Sequence, residues 1–164
     1  MSAKKKGVLF VCHGNICRSP AAEGVFRLLL KERGLESDIL VDSAGTSDEH
    51  EGDLPHSVTL RVAARHGIQL THRSRQFRTA DFETFGLILV MDNWNFRNAS
   101  ALARHEDDLA RLRLYRSFDP VVKTMNRIPE VPDPYYGGLE GFEQVHEIFQ
   151  RTSPSILEHI LNGP

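Results

Sequence analysis

A thiol at Cys12 and a guanidinium at Arg18 frame the segment Cys12-His13-Gly14-Asn15-Ile16-Cys17-Arg18-Ser19-Pro20. The apolar run Gly7-Val8-Leu9-Phe10-Val11 precedes it, and Ser19-Pro20 offers an N-cap and a first-turn proline, so the spacing predicts a loop between a strand and a helix. Amides at a helix N-terminus direct a partial positive charge into such a loop, which suits a phosphate. A thiol beside a helix N-terminus and a cation ionises well below the ~8.5 of a free cysteine, so a nucleophile needs no dedicated base there. The planar fork of Arg18 can grip two phosphate oxygens while loop amides take the rest. The loop would then bind the group that its own sulfur attacks. It is not a nucleotide loop of the G-x-x-x-x-G-K-[ST] kind, because no second glycine and lysine follow Gly14 at the required distances. A metal held by Cys12, His13 and Cys17 would need further ligands, yet no other cysteine exists and the remaining histidines are scattered. No metal and no cofactor are expected.

The elements that must position this loop alternate between strand and helix, the pattern of an α/β domain with a parallel sheet. Gly7 to Cys12 reads as a central strand covered on both faces, Ile39 to Val41 as a second and Leu87 to Met91 as a third, with a weaker fourth near Leu112, Leu114 and Tyr115. Ala22, Val25, Phe26, Leu29 and Leu30 repeat at helical spacing up to about Arg33, where Gly34 stops them. A helix is expected over 55–66, a helical turn near Asp81, and a helix capped by Asp92. The last helix should start near Gly141 and kink or restart at Pro154, with Ser153 as a new cap.

At 164 residues and 40% hydrophobic, the chain can bury one substantial core, so a single domain over 1–164 is expected, with 1–6 as a flexible basic tail. The 20 Lys and Arg against 22 Asp and Glu leave no global field to draw it to nucleic acid or an anionic membrane. Val8 to Cys12 is far shorter than the ~7–15 apolar residues of a secretory signal, and nothing approaches the ~20 of a membrane helix. Both cysteines lie in one loop, which leaves no second pole for a structural disulfide. A cytoplasmic protein is expected, as a monomer or weak dimer.

The segment 12–20 matches C-x-G-N-x-C-R-S-P at every fixed position and so resembles the low-molecular-weight protein tyrosine phosphatases. The resemblance extends through Asp42-Ser43-Ala44-Gly45-Thr46-Ser47, Arg65-His66-Gly67-Ile68, Met91-Asp92 with Asn95, and Asp133-Pro134-Tyr135-Tyr136-Gly137. It implies a three-layer sandwich around a four-stranded parallel sheet of order 2-1-3-4, acting on phosphotyrosine proteins or small aryl phosphates. It implies Cys12 as nucleophile, Arg18 as phosphate clamp and Asp133 as general acid, then base. A phenolate leaves more easily when protonated, which is the physical need Asp133 would meet. It further implies that Asn15, Ser19, Ser43 and His72 support the loop, Ser19 by bonding the sulfur and Asn15 by holding an unusual backbone angle. Cys17 would pair with Cys12 on oxidation, protecting it from further damage.

Two departures touch substrate choice. Where relatives usually present an aromatic after Thr46-Ser47, this chain has Asp48-Glu49-His50-Glu51, and His56-Ser57-Val58 stands where they often have Asp-x-Arg. The substrate walls then fall to Tyr135, Tyr136, Glu49 and His50, with Glu49 and Glu51 set to repel acidic peptides. Arsenate reduction needs further cysteines to relay a disulfide, and none follow Cys17. A protein-arginine phosphatase, whose loop resembles this one with Thr in place of Ile16 and which lacks the tyrosine pair, is the nearer alternative. A non-catalytic phosphopeptide-binding module is the other.

Overall fold

The computed structural model describes residues 6–122, 125–135 and 137–163. Most of the expected basic tail, residues 1–5, and the expected substrate wall Tyr136 lie outside the described residues. Four parallel strands, β1 (Gly7–Cys12), β2 (Leu40–Gly45), β3 (Leu87–Val90) and β4 (Leu112–Leu114), form one sheet in the order β2-β1-β3-β4. The helices are α1 (Arg18–Glu32), α2 (Ser57–Arg65), α3 (Asp81–Thr84), α4 (Asn93–Ser100), α5 (Glu106–Arg111) and α6 (Leu139–Leu161). None of them is long and apolar enough to cross a membrane.

Alternation along β1 divides the core. Val8, Phe10 and Cys12 face the layer of α1 and α6, where Phe10 meets Phe26 and Tyr115 at ring distances of 5.8 and 6.0 Å. Leu9 and Val11 face the opposite layer with Phe77, Phe82, Ile88 and Ala99. Fully burying a side chain such as Phe10 contributes about 1.5–3 kcal/mol, so the strand that ends in Cys12 is held from both sides.

Three expectations are corrected. α1 begins at Arg18 with Cys17 in the N-cap position and no side-chain cap, so Ser19 lies inside the helix, its hydroxyl engaged by other side chains. β2 continues past Val41 to Gly45, because it pairs with β1 along its whole length from Gly7↔Leu40 to Cys12↔Gly45, and the polar Asp42 and Ser43 hid that continuation. α6 runs through Pro154 as one element, and Ser153, instead of capping a new helix, donates its hydroxyl to the Phe149 carbonyl at 2.7 Å. Continuous burial of Phe149, Ile156, Leu157 and Ile160 against the core carries the helix past the lost amide. α5 was not anticipated: its one large apolar residue, Leu109, is exposed, and the fully buried Asp108 holds the turn by accepting from the Arg104 backbone and guanidinium.

Candidate active site

The loop 13–17 turns from the carboxyl end of β1 into the first turn of α1, and its shape rests on Asn15. Asn15 has φ 57°, the one positive value among described non-glycine residues, and Asn bears that region better than most. Its Nδ2 donates to Ser19 Oγ at 2.7 Å and Ser43 Oγ at 3.0 Å, while its Oδ1 accepts from the Arg75 amide at 3.1 Å and pairs with His72 Nε2 at 2.8 Å. Its carbonyl accepts from Ser74 Oγ at 2.6 Å. Gly45 lets β2 approach this closely, since a Cβ there would stand 2.7 Å from the His13 carbonyl oxygen.

Ser19 Oγ, occupied as an acceptor by Asn15, lies 3.0 Å from Cys12 Sγ and can direct its own proton there. The Asn15 amide also donates to the sulfur, at 3.3 Å. The amides of Gly14, Ile16, Cys17 and Arg18 find no protein acceptor among the described residues, and α1 carries no acid in its first turn. A ring of free donors thus surrounds the sulfur, a ready anion site.

Arg18 is 3% exposed. Its Nη1 donates to Asp92 Oδ2 at 2.8 Å and to the Val131 carbonyl at 3.0 Å, and its Nη2 lies 3.6 Å from Asp133 Oδ2. Burial opposes its charge, but Cys12 and Asp92 outweigh that, so the guanidinium is held above its ordinary pKa. With Nη1 committed to the protein, the other edge of the fork has no hydrogen-bond partner among the described residues.

These groups line a cavity of about 280 Å³. Cys12, His13, Gly14, Ile16, Cys17 and Arg18 form its floor, and Glu49, His50, Asp133 and Tyr135 its walls. Asp133 is half exposed and accepts from the Tyr135 amide at 3.1 Å, a local turn that points the acid and the ring into one space. Tyr135 sits edge-on to His56 at 5.7 Å, and His56 stacks on Phe142 at 5.2 Å, so the wall is anchored to α2 and α6. On the opposite side His50 pairs with Asp53 at 3.3 Å, and its ring lies against Gly14.

Cys17 faces this cavity and also a smaller one of about 10 Å³, shared with Thr59, Pro134 and His146. Burial, with the charge on Cys12 adding, pushes the Cys17 thiol up to about 12, so it stays protonated near neutral pH. His146 is 2% exposed, stacks on His66 at 4.0 Å, and leaves Nε2 without a hydrogen-bond partner among the described residues. Burial, and then repulsion from His66, lowers it to about 4 from an ordinary 6.5. The unfolded chain therefore takes up a proton between pH 6.5 and about 4 that the native state refuses. Stability is full above that window and falls within it by about 3 kcal/mol. Urea midpoints followed from pH 7 to 4 should fall less steeply in His146→Gln than in the parent, and parallel curves would contradict this.

The sequence reading names every residue that lines the larger cavity. Of the residues that hold them, Asn15, Ser19, Ser43 and His72 were expected, but others were missed: Asp92, read only as the cap of α4, bonds Arg18 as well as the Asn95 amide, Ser74 and Arg75 support the loop from a distant segment, and Glu23 of α1 accepts from Ser43. Asp92 could have been found, since it follows β3, the strand beside β1, at the carboxyl edge of the sheet.

Residues 7–162 match the family model described as low molecular weight phosphotyrosine protein phosphatase. A low molecular weight protein-tyrosine-phosphatase of Streptomyces coelicolor is 44% identical over 150 residues, covering 92% of this chain and 90% of that protein. The crystal structure of a protein tyrosine phosphatase from Entamoeba histolytica, with Hepes in its active site, superposes with a TM-score of 0.88 at 34% identity, over 96% of this chain and 98% of that one. A Drosophila arginine phosphatase superposes at 0.82 with 30% identity, over 93% and 96%.

Proposed function

The chain belongs to the low molecular weight phosphotyrosine protein phosphatase family, and from that premise we propose that it hydrolyses phosphotyrosine and small aryl phosphates through a phosphocysteine on Cys12. One observation carries this reading: a sulfur bonded by Ser19 and the Asn15 amide lies among free loop amides beside a buried arginine.

The phosphate dianion enters the loop, its oxygens taken by the amides and by the free edge of Arg18. The Cys12 sulfur attacks phosphorus as the phenolic oxygen departs, and Asp133 gives that oxygen a proton. Asp133 then accepts a proton from water, which attacks the phosphocysteine, and the Ser19 hydroxyl stabilises the departing sulfur. Replacing Asp133 by alanine should lower kcat/KM, which reports the steps through phenol release, by about 10²–10³ for phenyl phosphate and much less for p-nitrophenyl phosphate, whose phenolate needs no proton. An equal loss for both would remove Asp133 from the proton transfer.

An aromatic substrate is favoured by Tyr135, anchored through His56, and by the apolar Ile16 in the floor. Parallel assays on phosphotyrosine and phosphoarginine peptides test this choice, since preferential release from phosphoarginine would favour the arginine phosphatase reading.

Because catalysis needs a free thiol, the proposed location is the reducing cytoplasm. Peroxide converts the Cys12 thiolate to a sulfenic acid and releases hydroxide; the Cys17 thiol then displaces that oxygen as water, leaving a disulfide. After brief peroxide exposure, added thiol should restore the parent enzyme but not Cys17→Ser. Equal recovery of the two would exclude protection by Cys17.

A further inference from the structure

A small pocket behind the end of the phosphate loop gathers polar groups that the phosphate chemistry does not use. It is bounded by Cys17, by Thr59 of α2, by Pro134 next to Asp133, and by Phe142 and His146 of α6. Thr59 is 3% exposed and His146 is 2% exposed, and both Thr59 Oγ1 and His146 Nε2 are buried without a hydrogen-bond partner among the described residues. His66 does not serve His146, because the two rings stack at 4.0 Å and the His66 nitrogens already meet Glu143 at 3.1 Å and Gln150 at 3.4 Å. A buried polar group left unpaired is costly, so two of them at one pocket call for a shared partner.

We propose that this pocket is the site of one bound water molecule, which bridges Thr59 Oγ1 and His146 Nε2. Its volume of about 10 Å³ has room for a single water. Water both gives and accepts, so it can take the Thr59 hydroxyl proton in one hydrogen bond and donate to His146 Nε2 in another. The ring is neutral at pH 7, because burial, and then repulsion from His66, lowers it to about 4. The Cys17 thiol faces the same pocket as a third polar neighbour, which matches the roughly three hydrogen bonds that a buried water makes. The rest of the wall is apolar, from Ala21 of α1 to Val145 of α6, so no other side chain there competes for these groups. Cys17 holds the N-cap position of α1 beside Arg18, so the water would join the end of the phosphate loop to α2 and α6 through one node.

The rival arrangement is a dry pocket, in which Thr59 turns its hydroxyl to the Cys17 sulfur and His146 Nε2 stays unpaired. A high-resolution crystal structure of the full chain separates the two, since the proposal expects one water within about 3.2 Å of both Thr59 Oγ1 and His146 Nε2. Its energetic counterpart is a double-mutant cycle at pH 7, read by urea unfolding. Thr59→Val should lower the folding equilibrium constant about five- to tenfold in the parent, where the water loses a partner, and less than about twofold in His146→Leu, where the bridge is already broken. A direct bond from Thr59 to Cys17 would instead make that cost equal in both backgrounds. Density that shows no water between the two atoms, an equal cost in the parent and in His146→Leu, or a parent stabilised by Thr59→Val would overturn the proposal. If His146→Leu does not fold, the crystal structure of the parent decides alone.

Discussion

Cys12→Ser should lower kcat toward p-nitrophenyl phosphate by about 10⁴–10⁶ while leaving the affinity for a phosphotyrosine peptide within a few-fold of the parent. The serine oxygen is a poor nucleophile without a base, and among the described residues no histidine hydrogen-bonds to Cys12, whose side-chain bonds come from Ser19 and the Asn15 amide. The donors that would hold the phosphate come from backbone amides and Arg18, which the substitution leaves in place. Chemistry and binding should therefore separate, as they would not if the sulfur merely packed beneath the loop. A variant that keeps more than about a hundredth of parental turnover would show that another group attacks phosphorus.

Arg18→Lys should lower kcat/KM by about 10³–10⁴ although it keeps the charge. The guanidinium reaches in two directions: Nη1 spans Asp92 Oδ2 and the Val131 carbonyl, and its remaining edge, which has no hydrogen-bond partner among the described residues and only the longer 3.6 Å contact of Nη2 with Asp133, can take two phosphate oxygens. An ammonium can serve one of these roles at a time. Lysine would also leave the Val131 carbonyl short of a donor in a buried place. Inhibition by inorganic phosphate should weaken in step with kcat/KM, because ground-state and transition-state oxygens use the same fork. Unchanged phosphate inhibition would mean that Arg18 supports the loop without gripping the substrate.

The parts of this fold that could be read ahead are those whose physics is local. The buried run of β1 announces a central strand, and a thiol, glycine, asparagine and arginine packed into one turn announce an anion cradle. What stayed hidden depends on tertiary distance. Asp92 is a sound helix cap by local rules and only the sheet order brings it beneath Arg18. Ser19 satisfies the rule for an N-cap, but the closeness of Asn15 and Cys12 draws its hydroxyl away from the helix end. α5 lacks an apolar stripe and exists because one buried carboxylate ties its first turn to Arg104. Pro154 breaks a lone helix, whereas here the core on both sides of it outweighs one missing hydrogen bond.

Covalent chemistry on one sulfur is the claim beneath the rest, and acid quenching during steady turnover of p-nitrophenyl phosphate tests it most directly. Peptide mapping by mass spectrometry should find phosphate on the peptide holding Cys12, at a level that rises in Asp133→Ala as hydrolysis of the intermediate slows. A turning-over enzyme that carries no phosphorus on that peptide, at any quench time, would contradict the account.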